Sequence, residues 1–291
     1  MVFLLFPVGV RAADFTLTPM LQEVTVGDEA EKTIEVKITN TTDGVGTFRI
    51  NTFDFGSLDE SGGVVFLGAS QNLEDKYGLA AWLRLDKEMV TLRPGNSEIV
   101  AVHIENQASL APGGHYGALV FESDSQDVPE SNGIAIHQKL AALIFVKKIG
   151  GAHPALELQG VEYTKSPFFL NKTMAFRFHN PGNVHVVPRG TMSVTDPFGR
   201  MVYRGILNQA SALVLPESTR LLHATLFGVV PAFIPGRYTL TVQYRFEEEG
   251  EAKVWQEHLF LAPPLSLGSI VSFLVFSGTL FFWYRRQKRK I

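Results

Sequence analysis

The 291-residue sequence predicts an all-β protein: two tandem immunoglobulin-like β-sandwich domains followed by one C-terminal transmembrane helix. Three observations lead there. Short runs that alternate apolar and polar residues recur along the body, and turn residues separate them. No stretch of the body holds a long 3.6-residue period. Near the end stands an uncharged, proline-free run of twenty residues, Leu265 to Tyr284.

The elements follow in order. Thr33 to Thr39 alternates strictly, with Ile34, Val36 and Ile38 on one face, and Asn40-Thr41-Thr42-Asp43-Gly44 supplies the turn behind it. Thr47 to Phe55, Trp82 to Leu85, Val90 to Leu92 and Ile99 to Ile104 continue the pattern. His115 to Glu122 and Ile134 to Val146 predict a long hairpin around the polar, acidic connection Ser123 to Gly133. One short helix is expected at Asn72 to Gly78. After a linker the strands resume at Leu156 to Tyr163, Met174 to His179, Val184 to Val194, Met201 to Leu207, Arg220 to Phe227, Arg237 to Phe246 and Val254 to Leu261.

The two halves echo each other. A strand ending in Asn40 and a later Pro94-Gly95 turn answer to a strand ending in Asn180 and a Pro216-Glu217 turn. Ala111-Pro112-Gly113-Gly114-His115-Tyr116 answers to Ile234-Pro235-Gly236-Arg237-Tyr238, and each leads into a strand. Short strands without crossover helices point to immunoglobulin-like sandwiches.

The termini predict export and anchoring. Met1 to Val10 is apolar, and Val10-Arg11-Ala12 before Ala13 fits a signal-peptide cleavage site, with the start of that peptide missing. Leu265 to Tyr284 matches a bilayer core in length, and Arg285-Arg286-Gln287-Lys288-Arg289-Lys290 follows as a stop-transfer cluster. Gly268 and Ser272 form a small-xxx-small pair within it. The expected order is a signal peptide at 1–12, a sandwich at 13–148, a linker at 149–155 and a second sandwich at 156–262. A transmembrane helix at 265–284 and a cytoplasmic tail at 285–291 complete it. The expected location is the cell membrane, single-pass, with the N-terminus outside.

Composition excludes several functions. Arg11 and five tail residues are six of the 26 basic residues, so the body holds 20 against 29 acidic ones, a net −9. That acidic exterior argues against nucleic acid. With no cysteine there is no disulfide framework and no thiol chemistry, which favours a bacterial surface. The sequons at Asn40 and Asn171 are then expected to carry no glycan.

Reactive constellations are scarce. There is no Gly-x-Ser-x-Gly elbow, no His-Glu-x-x-His and no phosphate loop; Gly44-Val45-Gly46 is a turn. His179 and His185 flank one loop without a third metal ligand. Asp54, Asp59 and Glu60 among Gly56, Gly62 and Gly63 are spaced unlike a calcium-binding EF-hand loop. Leu215-Pro216-Glu217-Ser218-Thr219 lacks the terminal glycine of a sortase signal and sits far from the apolar run. No cofactor, no metal and no enzymatic activity are expected. The expected partner-binding surface is Gly113, Gly114, His115 and Tyr116 together with Asp124, Asp127 and Glu130 of the acidic connection, since a loop held between strands is a usual recognition site.

Ile34 to Asp43 (IEVKITNTTD), Leu92 to Ile104 (LRPGNSEIVAVHI) and Ala111 to Phe121 (APGGHYGALVF), set in this layout, resemble the WxL-interacting proteins of Gram-positive surfaces. The resemblance implies peptidoglycan binding by the first domain, a host or partner ligand for the second, and association with WxL-domain proteins. The expectation is therefore a membrane-anchored adhesion or scaffold protein holding a cell-wall polymer or an exported surface protein. The alternative is an accessory subunit of an envelope complex with the sandwiches as spacers.

Overall fold

The computed structural model describes residues 14–69, 76–123, 138–164, 166, 168–170, 172–247 and 250–288. The chain forms two compact units, Met1–Leu58 with Val64–His153, and Asp59–Gly63 with Pro154–Ile291.

The first unit is a sandwich. One sheet runs β1 (Phe15–Thr18), β3 (Glu31–Asn40), β8 (Ser97–Glu105), β6 (Leu83–Leu85). The other runs β2 (Leu21–Val26), β10 (Lys139–Lys148), β9 (Gly113–Ser123), β4 (Gly46–Ser57), β5 (Val64–Ala69), and β7 (Met89–Leu92) also pairs with β4. The chain crosses between layers at Pro19, after a cis Thr18–Pro19 bond: β1 pairs antiparallel with β3, and β2 runs parallel to β10. Period-two alternation sends Val36, Ile38, Val100, Val102 and Ile104 into the core, where they meet Phe48, Ile50, Leu119, Phe121, Ile144 and Val146. A second apolar cluster lies on the opposite face of β9. There Tyr116, Phe55 and Phe145 are all buried, with ring centroids 5.3 to 5.9 Å apart.

The second unit is one ladder folded on itself: β11 (Glu157–Glu162), β12 (Thr173–His179), β15 (Thr219–Gly228), β14 (Met201–Leu207), β13 (Arg189–Thr195), β16 (Gly236–Arg245), β17 (Lys253–Leu261). Thr219 to Thr225 of β15 pairs with β12, and Leu226 to Gly228 with β14, so this strand belongs to both layers. Phe176, Phe178, Met192, Val194, Leu226, Leu240 and Val242 fill the space between them.

Most expected strands form within a residue or two of their expected ends. Some expectations fail or fall outside, among them the start of the strand expected at Ile134 to Val146, whose residues 134–137 lie outside the described residues; β10 begins at Lys139. Val184 to Pro188 is a loop with one bridge, Val186 to Val214, and the strand begins at Arg189. Trp82 ends a 3₁₀ turn, Ala80–Trp82, before β6. The expected helix at Asn72 to Gly78 falls mostly outside the described residues; its end, Tyr77-Gly78, is turn and bridge. β1, β2 and β5 were not expected at all. The expected signal peptide also lies outside the described residues.

The run Leu265 to Tyr284 is helical, inside α1 (Pro264–Lys288). Ser266, Ser269, Ser272, Ser277 and Thr279, with two glycines, dilute its apolar residues. Among the described residues no helix is long and apolar enough to cross a membrane. The expected transmembrane helix is therefore unsupported, and the single-pass placement in the cell membrane built on it is withdrawn.

Candidate functional site

The expected surface divides. Gly113 to Tyr116 begin β9 and are buried; His115 is 3% exposed and Tyr116 1%. The His115 ring bridges two main-chain carbonyls, Gly78 O at 3.1 Å from Nδ1 and Ala111 O at 2.8 Å from Nε2. These residues hold a corner of the sandwich. Asp124, Asp127 and Glu130 lie outside the described residues, as does Asn171. Asn40 is fully buried with both side-chain groups bonded, which leaves no room for a glycan.

The remaining candidates are structural as well. Asp54 is buried, and its Oδ1 accepts the Leu79 and Ala80 amides at 2.7 Å each, capping the 3₁₀ turn. Asp59 Oδ1 accepts the Ser61 amide and hydroxyl, and those bonds hold its carboxyl below the ordinary range. His179 Nδ1 lies 3.2 Å from Thr219 Oγ1. Among the described residues, no three His, Cys, Asp or Glu side chains gather to hold a metal ion.

The open side of the first unit is different. β7 pairs with Gly46 to Arg49 of β4, and β5 pairs from Phe53 onward. Between them the Ile50 amide donates to Glu88 O, and no described strand covers Asn51 or Thr52 on that side. Facing this gap is β6, the end of the other sheet. A groove of about 770 Å³ results, lined by Arg49, Thr52, Trp82, Arg84, Glu88 and Met89 among others. Half-buried Trp82 stacks toward His115, with centroids 6.2 Å apart, so the corner positions the indole in the groove. At the rim, Arg84 pairs with Glu31 at 2.9 Å and Glu105 at 3.5 Å. The Arg84 hydrogen bond, then that of His103, holds the Glu31 carboxyl low.

Beyond the gap, β5 ends its sheet. Its sequence, VVFLGA, has no charge and no proline, and Val64, Phe66 and Leu67 are exposed. Sequence reasoning missed this strand because the acids and glycines before it drew attention to a cation loop. Its signal was there: a four-residue apolar run, Val64 to Leu67, bounded by Gly62-Gly63 and Gly68.

No family model matches the chain, and no curated protein matches it. Solved structures do. One, described as a chaperone–tip adhesin complex in CFA/I fimbriae biogenesis, is 13% identical at a TM-score of 0.48, over 86% of this chain and 100% of that one. The class 5 fimbriae chaperone CfaA is 12% identical at 0.46, over 86% and 99%. The E. coli chaperone DraB is 13% identical at 0.36, over 84% and 97%. These neighbours are chaperones, not WxL-interacting proteins, and no family model supports that family. The resemblance is corrected accordingly. With it fall the membrane-anchored adhesion or scaffold role, the envelope-spacer alternative, and the cell-wall polymer and WxL-domain partners. At these identities no residue role passes from the neighbours to this chain.

Proposed function

We propose that the chain is a non-enzymatic polypeptide-binding protein that holds an extended segment of an exported partner along the open side of its first unit. The observation that supports this reading is β5. Unpaired strand edges invite pairing, and proteins normally blunt them with charge, proline or brevity. Here β1 and β7 have four residues each and β6 has three. β2 carries Glu23, β11 carries Glu157 and Glu162, and β17 carries Lys253, Glu257 and His258. Only β5, among the described edges, has six residues, exposed apolar side chains and none of these protections. Main-chain hydrogen bonds to such an edge give affinity, and side-chain pockets beside it give selectivity. The non-enzymatic reading is supported by the buried acids, which are spent on main-chain amides.

The test is capture of arrayed ten-residue peptides by the full chain. Peptides that alternate apolar and polar residues should be retained. Their backbone N-methylated versions should be lost, and Phe66→Lys should weaken retention at least tenfold. Retention indifferent to both changes, or no retention of any peptide, overturns the reading.

A further inference from the structure

The two units are built on one plan, and the described residues of the first unit depart from it at one place. Asn180 follows Asn40 by 140 residues, and the pair Val186–Val214 repeats the pair Gly46–Leu92 with the same offset on its first member. By that offset Gly190 to Thr195 of β13 stand where Ile50 to Phe55 of β4 stand. In the second unit a single strand, β14, covers this stretch of β13 from Gly190 to Thr195. Through Tyr203 to Gly205 the same strand also bonds to β15, so it closes that side of the sandwich.

In the first unit the work of β14 is divided. β5 covers the stretch only from Phe53, and β6 bonds to β8 at Ile104, the counterpart of Leu226 on β15. Nothing described joins the two. The groove over Ile50 to Thr52, floored by Trp82, is the place a continuous strand would occupy.

We propose that this groove seats one extended segment of the partner, in the position β14 holds in the second unit. The inference rests on the polypeptide-binding reading above and names the site and the ligand class. β14 supplies the template: over Arg204 to Leu207 the outward Arg204 and Ile206 alternate with the inward Gly205 and Leu207, and the register shift between Val194 and Thr195 leaves Val202 buried as well. Two guanidinium groups, Arg49 and Arg84, and two carboxylates, Glu88 and Glu105, line the groove. Their charges balance, so the complementary segment carries little net charge. It is about seven residues long and apolar at alternate positions, where its side chains meet Trp82 and Leu83.

The probe is a capped, fluorescently labelled peptide with the sequence of Met201 to Leu207, titrated into the full chain and read by anisotropy. Met89→Arg changes an exposed groove residue, and Thr52→Arg fills the floor; Phe66→Lys alters only the β5 edge. Urea unfolding of each variant separates misfolding from lost binding. Met89→Arg and Thr52→Arg should each weaken the peptide at least tenfold at unchanged stability, and Phe66→Lys, at the β5 end of the same open side, should weaken it as well. If Phe66→Lys abolishes binding while both groove variants retain it, the groove inference fails and the edge reading survives. If this peptide is not bound while arrayed peptides are, the inference likewise fails alone. If no peptide is bound in either experiment, both fall.

Discussion

Asn40 and Asn180 make the same three side-chain bonds to the main chain in the two units. Asn40 Nδ2 donates to Gly44 O at 2.9 Å and Leu92 O at 3.0 Å, and its Oδ1 accepts the Thr42 amide at 2.9 Å. Asn180 Nδ2 donates to Val184 O and Val214 O at 2.9 Å each, and its Oδ1 accepts the Gly182 amide at 2.9 Å. Both are fully buried and tie the end of a strand to the turn that leads toward the next strand of the other layer. An amide is needed, because only it both donates twice and accepts.

Removing the Asn180 amide leaves two buried carbonyls without a donor; removing that of Asn40 leaves one, Leu92 O, since Gly44 lies at an exposed turn. Asn180→Ala should cost about 3 kcal/mol and Asn40→Ala about 2 kcal/mol, at roughly 1–3 kcal/mol per buried orphaned acceptor. Urea unfolding of the full chain measures this. Asp at either position should not rescue, since it keeps the acceptor and loses both donors. A well-tolerated Asp would show that the donated bonds contribute little.

His115 occupies the place of Tyr238. Each sits three residues after a Pro whose following glycine has positive φ, +128° at Gly113 and +150° at Gly236. Each returns a bond to the carbonyl four residues earlier, Ala111 O and Ile234 O. The histidine adds a second contact, to Gly78 O. Tyr238→Phe should therefore cost about 1 kcal/mol, and His115→Phe distinctly more, because it removes a buried ring that lies within hydrogen-bond distance of both Ala111 O and Gly78 O and donates its N–H to one of them. Equal losses in urea unfolding would show that the Gly78 contact is idle.

This pair marks where the sequence is legible and where it is not. The Pro-Gly turns and the terminal asparagines are visible as an echo, because turn chemistry is local. Aligning Tyr116 with Tyr238 by letter is wrong by one residue. In a strand that error reverses the face, and Tyr116 in fact joins the aromatic cluster with Phe55 and Phe145. Apart from β13, which begins at Arg189 and not at Val184, the strands of the second unit read almost to their ends because alternation fixes their buried face. The groove did not read at all. It is a stretch of β4 that no described strand pairs with on the side of β6, and strand partnership is non-local.

The tight turns beside the two asparagines differ in one instructive respect. Gly95 has φ +72°, and its counterpart Glu217 has φ +53°. A Cβ at Gly95 would touch nothing within 4 Å, so only backbone strain opposes a side chain there. Gly95→Ala should cost about 1 kcal/mol, near the lower end of the left-handed penalty. Glu217→Gly is the reverse exchange in the same backbone region, so it should gain about as much as Gly95→Ala loses, less whatever the Glu217 side chain contributes. Unfolding midpoints decide it; a Glu217→Gly loss as large as that of Gly95→Ala would mean that the Glu217 side chain supports its turn.

Tyr163 and Glu257 make the second unit sensitive to alkali. The Tyr163 hydroxyl donates to Glu257 Oε1 at 3.1 Å. Burial first, then the carboxylate charge and that hydrogen bond, push the phenol from 10.0 up to about 12. Because the fold favours the protonated phenol, its contribution is fully present below pH 10 and disappears as pH rises through about 12. The chain has seven tyrosines, so the phenolate absorbance of Tyr163→Phe must be subtracted from that of the native chain. The difference should titrate near 12, and Glu257→Gln should move it toward 10. Alkaline stability should follow: the native chain should lose more between those values than Tyr163→Phe does. A difference titration centred on 10 in the native chain would mean that the carboxylate does not hold the phenol.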